Sequence, residues 1–94
     1  MTFSGVNGSN CIPIGMAKVR VESGLFTHAK VFGSKGEYRI KFVNPESIWN
    51  GESLVLSSTR DIHNPKVFKS LDGAIADLKR LGIEEVTCDK SVLI

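Results

Sequence analysis

Between Ser70 and Gly82, Leu71, Ala74, Ile75, Leu78 and Leu81 recur at three- and four-residue spacing, and no other stretch of the chain restricts its own conformation as tightly. Ser70 is placed to accept from the exposed backbone donors of a first turn, and Asp72 complements the positive end of the helix dipole. Lys79 and Arg80 fall in the last turn, where cations are favoured, and Gly82 offers a left-handed stop. The spacing therefore predicts a helix with one apolar stripe, leaving Asp72, Asp77, Lys79 and Arg80 outward. Such a stripe needs a second layer to cover it.

Strand patterns supply that layer. In Glu37 to Val43, Tyr38, Ile40 and Phe42 share one side and Glu37, Arg39 and Lys41 the other, a period of two in β-favouring residues. Lys18 to Glu22 alternates in the same way, with Val19 and Val21 opposed to Lys18, Arg20 and Glu22, and reads as a half-buried strand. Phe26 to Phe32 reads as a less regular strand with Ala29 and Val31 inward and Lys30 facing water, followed by a hairpin loop at Gly33-Ser34-Lys35-Gly36. Asn44-Pro45 ends the clearest strand, because proline lacks a ladder donor. Trp49-Asn50-Gly51-Glu52 matches a tight turn whose two central residues take positive φ. Ser53 to Ser57 and Glu85 to Asp89 read as further strands, the latter with Val86 and Cys88 on one side, and residues 59 to 65 read as a loop. Residues 1 to 15 carry Gly5, Gly8 and Gly15 among Ser and Asn and read as a flexible N-terminal arm, within which Cys11 to Ile14 can pack as a short extended piece. The expected architecture is α+β: an antiparallel sheet of four or five strands on one helix, in the order β-β-β-β-α-β over residues 16–94, with the helix covering Tyr38, Ile40 and Phe42.

A chain of 94 residues has room for one core, so a single domain is expected. Hydrophobic residues at 41% and charged residues at 23% are enough to offset ordering entropy by burial. No apolar run reaches the roughly 18 residues of a membrane span, and the first basic residue, Lys18, comes too late for the charged start of a signal peptide. A cytoplasmic protein is expected. Cys11 and Cys88 are far apart in sequence, which fits two free thiols better than one bridge.

Charge is distributed unevenly. Residues 18 to 41 hold six basic side chains against two acids (net +4), and residues 42 to 94 hold six against eight (net −2). Lys18, Arg20, Arg39 and Lys41, with Lys30, lie on the polar faces of the expected strands, and strands sharing a sheet would gather them on one basic surface suited to phosphates or an acidic protein groove. The competing reading is an ordinary solvated sheet face, which also carries charge. A reader of single-stranded nucleic acid needs aromatics among the cations; Tyr38 and Phe42 alternate with Arg39 and Lys41 and belong to the opposite, core side. Phosphates are then the expected nucleic-acid contacts, not bases. Trp49, beside Asn50-Gly51, fits either a core position or an exposed anchor for a protein partner.

Catalytic and metal chemistry find little support. Cys11, His28, His63 and Cys88 lack the close pairing of structural zinc ligands. Asp61 stands two residues before His63 and could orient its ring for acid–base work, but no nucleophile accompanies them; loop-stabilising hydrogen bonds by Asp61 and Asn64 account for the same residues. Gly33 to Gly36 lacks the spacing and the following helix of a phosphate-cradling loop. No cofactor is implied.

The stretch Val67-Phe68-Lys69-Ser70-Leu71-Asp72-Gly73-Ala74-Ile75-Ala76-Asp77-Leu78-Lys79-Arg80-Leu81-Gly82-Ile83 resembles the short strand, capped helix and glycine stop of small accessory proteins of plasmids and phages. The resemblance implies a protein of a mobile element, in groups that include replication accessories and anti-CRISPR inhibitors. The expected function is thus a non-enzymatic binding or inhibitory protein. It would dock Lys18, Arg20, Lys30, Arg39, Lys41 and Trp49 onto a protein or protein–nucleic acid complex such as a CRISPR effector. Alternatives are a direct DNA- or RNA-binding regulator or replication accessory, and an enzyme centred on His63.

Overall fold

The computed structural model describes residue 5 and residues 9–89. Along the chain run β1 (Cys11–Ile12), α1 (Ile14–Glu22), β2 (His28–Ser34), β3 (Glu37–Phe42), a 3-10 turn at Pro45–Ser47, β4 (Ile48–Trp49), β5 (Glu52–Ser53), β6 (Val55–Leu56), α2 (Leu71–Leu81) and β7 (Glu85–Cys88). The fold is α+β, as the sequence predicts. Five strands form one sheet in the order β1-β6-β3-β2-β7, and β4 and β5 form a separate hairpin.

The main sheet is mixed, which corrects the antiparallel expectation. β3 is antiparallel to β2 and to β6, whereas β1–β6 and β2–β7 are parallel pairs. Four strands therefore run one way and β3 alone runs the other. Parallel alignment requires crossover connections, and helices supply them: α1 links β1 to β2, and α2 links β6 to β7.

The second correction concerns α1, a helix where Lys18 to Glu22 reads as a strand. Ile14, Ala17 and Val21 repeat at three- and four-residue spacing; Ala17 is fully buried, and Ile14 and Val21 pack against the core, while Val19 is 66% exposed. Alternation over five residues is too short to choose between the two periods, and the apolar residues upstream decide it. The N-terminal arm expected over residues 1–15 is corrected in part. Residues 1–4 and 6–8 lie outside the described residues, but Cys11 and Ile12 pair with Val55 and Leu56, and Ile12 is fully buried.

Elsewhere local chemistry and structure agree. Asn50 and Gly51 have φ of 53° and 79° and join β4 to β5 in the positive-φ turn that the sequence requires. The Ser70 hydroxyl accepts from the Gly73 N–H at 3.1 Å, and Gly82 closes α2 at φ 95°. Ala29, Val31, Ile40 and Phe42 of the central hairpin, Leu54 and Leu56 beside β3, and Ala74, Leu78 and Leu81 of α2 form one core. Phe26 stacks on Phe42 with ring centroids 4.6 Å apart, and the Arg20 guanidinium lies 5.8 Å from the Phe26 centroid. Asp77 is not outward as the helical pattern suggests but 5% exposed, its carboxylate paired with the Lys66 ammonium at 2.7 Å and with Arg80, one turn on, at 3.2 Å. No helix among the described residues is long and apolar enough to cross a membrane.

Two glycines separate strain from entropy. Gly33 has φ 108°, and a Cβ there would overlap the Glu37 carbonyl oxygen, whereas a Cβ on Gly15 in α1 meets open space. Gly33→Ala is expected to lower the unfolding free energy by about 2–3 kcal/mol. Gly15→Ala is expected to raise it by a few tenths to about 1 kcal/mol, through unfolded-chain entropy and helix propensity. Urea unfolding midpoints at a constant m-value check both.

Candidate functional site

Because each strand alternates its side chains, the register of the sheet fixes which residues share the face turned away from the core. Cys11 pairs with Val55, Val55 with Lys41, Lys41 with Lys30 and Lys30 with Thr87, so one row crosses all five strands. The next row along the hairpin sets Phe32 against Arg39. Lys30, Lys41, Arg39 and Phe32 thus form a cluster in the middle of the outer face, each side chain half-buried by its neighbours.

The electrostatics of this cluster are unbalanced. Two ammonium groups directly opposite one another on neighbouring strands destabilise a sheet. Lys30 reaches Asp89 on the rim at 4.0 Å, and the Lys41 ammonium lies 5.1 Å from the Phe32 ring centroid, a cation–π contact. Among the described residues neither Arg39 nor Lys41 makes an ion pair. At the end of the face His28 and Glu85 are joined at 3.0 Å.

Of the six residues singled out from sequence, the structure brings together Lys30, Arg39 and Lys41. Lys18 and Arg20 belong to α1, in the helical layer behind the sheet, since they are helical and not part of a strand. Lys18 is exposed there, and Arg20 covers Phe26, where burial pushes its guanidinium below its ordinary pKa. Trp49 is half-buried against the core, and its carbonyl accepts from the Asn10 side chain at 2.8 Å, which ties the β4–β5 hairpin to the start of β1. Tyr38 and Phe42 lie on the core side, as their alternation requires.

Phe32 is the residue that sequence reasoning missed. The signal was present: Ala29 and Val31 inward and Lys30 outward place Phe32 outward by the same period of two. The alternation read from the sequence stops at Val31 and gives Phe32 no face.

Other candidate groups are arranged differently. Asp61 accepts from the His63 backbone N–H at 3.0 Å and from the Asn64 side-chain amide, so its carboxylate stabilises the loop and does not orient the His63 ring. Among the described residues no group of three or more His, Cys, Asp or Glu side chains is placed to hold a metal ion. Two open clefts adjoin the turn after α2. One, of about 420 Å³, is lined by Ile75, Lys79, Ile83, Glu84 and Val86, and the other, of about 200 Å³, by Val21, Phe26, Thr27, Glu84 and Glu85. The chain matches no protein-family model, no curated protein and no solved structure.

Both cysteines are free thiols, and Cys11 donates to the His63 carbonyl at 3.3 Å. Burial, and then the nearby Asp61 carboxylate, push the Cys11 thiol above its ordinary pKa, so less thiolate is present at any given pH. Asp61→Asn removes the second of these causes and keeps an acceptor for the His63 N–H. In a Cys88→Ser background at pH 8, alkylation of Cys11 is expected to be slower than that of an unstructured thiol and to speed up in Asp61→Asn. Equal rates in the two proteins would contradict the assignment.

Proposed function

We propose that the protein is a non-enzymatic binding protein that docks the outer face of its sheet onto a nucleic-acid strand, either free or held within a protein–nucleic acid complex. One observation carries the reading: Arg39 and Lys41 project beside Lys30 from a sheet face that neither helix covers, and among the described residues neither of them makes an ion pair. A like-charged cross-strand pair costs stability in the free protein. A row of phosphates removes that cost and releases counterions as it binds. An accessory or inhibitory role at a nucleoprotein complex, of the kind the Val67–Ile83 resemblance implies, uses the same face.

Fluorescence anisotropy with a labelled oligonucleotide, repeated across ionic strengths, tests this. Affinity should fall steeply with salt. The double variant Arg39→Ala/Lys41→Ala should bind at least about tenfold more weakly, and its log–log salt slope should flatten by about 1.4, from two lost phosphate contacts at roughly 0.7 each. Lys18→Ala, in the helical layer, should match the parent protein. Equal losses from Lys18→Ala and from the double variant would place binding elsewhere.

A further inference from the structure

We infer that the outer face is specific for single-stranded nucleic acid, with Phe32 as a stacking platform for one unpaired base and Lys30, Arg39 and Lys41 as the phosphate contacts around it. This rests on the docking face proposed above and names its ligand.

Phe32 leaves the sheet on the side opposite the core and faces Arg39 directly across the β2–β3 ladder. Lys30, two residues earlier on β2, shares its face, and Lys41 stands opposite Lys30. One aromatic ring is therefore bordered by three cations on two adjacent strands. Strand spacing of about 4.8 Å and a two-residue rise of about 6.8 Å make this footprint comparable with one or two nucleotides, not with a wide surface.

In an undistorted duplex the paired bases are stacked inside and present no ring face to an aromatic side chain. The cations alone would serve for duplex binding, and Phe32 would add nothing. A single strand can splay a base onto the ring, and such stacking tolerates any base because every base has a π face. The position of the Lys41 ammonium, 5.1 Å from the Phe32 centroid, fits this exchange. In the free protein the ammonium covers one side of the ring. An arriving base takes its place there, and the displaced ammonium pairs with a flanking phosphate.

Four proteins distinguish the outcomes: the parent, Phe32→Ala, Phe32→Tyr and Arg39→Ala/Lys41→Ala, each first shown to unfold cooperatively in urea. Each is titrated into a labelled 12-nucleotide single strand and into the same sequence as a blunt duplex, by anisotropy at low salt. The parent should prefer the single strand. Phe32→Ala should weaken single-strand binding at least about fivefold and duplex binding less than twofold, while Phe32→Tyr keeps the parent's preference. The cation variant should weaken both. If Phe32→Ala weakens both alike or neither, while the cation variant still weakens both, Phe32 is no base platform, and the docking face survives without the strand specificity. If the parent binds neither oligonucleotide, the docking reading falls, and this inference falls with it.

Discussion

The register of the β2–β3 hairpin is the constraint on which the rest of the molecule depends. Val31 against Ile40 and Ala29 against Phe42 turn inward only because Lys30 against Lys41 and Phe32 against Arg39 turn outward. A slip of β3 by one residue would bury Arg39 and Lys41 and turn Ile40 and Phe42, at the centre of the core, toward solvent. The apolar side chains therefore hold the cations in place. Gly33 assists locally, since its φ of 108° and close approach to the Glu37 carbonyl fit only a residue without Cβ next to the turn.

Two helical crossovers explain why one side of the sheet is open. α1 runs from β1 at one edge to β2, and α2 runs from β6 to β7 at the other edge, so each spans the two strands lying between its ends. Both pack against the same core, with Ala17 from one and Ala74, Leu78 and Leu81 from the other. β3 is central, and its hydrogen-bonding sides are occupied by β2 and by β6, the latter continued by Phe68, which exchanges two backbone hydrogen bonds with Tyr38. A central strand flanked on both sides is the most rigid part of a sheet. Arg39 and Lys41 stand on it, and a charge cluster on such a strand is pre-organised in a way that one on a loop is not.

The sequence made legible those features whose determinants are local. α2 carries its own cap, stripe and glycine stop, and the Asn50-Gly51 turn needs only its own two residues, so both are found as expected. β3 is equally plain, because six residues of alternation admit one reading. What stayed hidden depends on distant partners. β1 is two residues long and exists only because residues 55 and 56 lie beside it, and its parallel pairing leaves no hairpin signal in the sequence. Asp77 has a helical position that points to solvent until Lys66 arrives from an earlier segment. α1 reads as a strand for a related reason: its core-facing residues begin at Ile14, in a stretch whose glycines suggest a flexible arm. Of the basic cluster, Arg39 and Lys41 were legible from β3 alone, and Phe32 required carrying the alternation of β2 one residue further.

Moving Lys18 and Arg20 to the helical layer changes the scale of the site as well as its membership. Five cations on one face would allow tight, unselective binding to any polyanion. Three cations, one of them drawn toward Asp89 at 4.0 Å, limit the phosphate contacts to about three and the salt-dependent part of the affinity with them. With so small an electrostatic contribution, a non-electrostatic contact at the same place carries a larger share of the discrimination between ligands. Phe32 is the one large apolar side chain within that cluster, which is why the strand specificity of this face turns on a single ring.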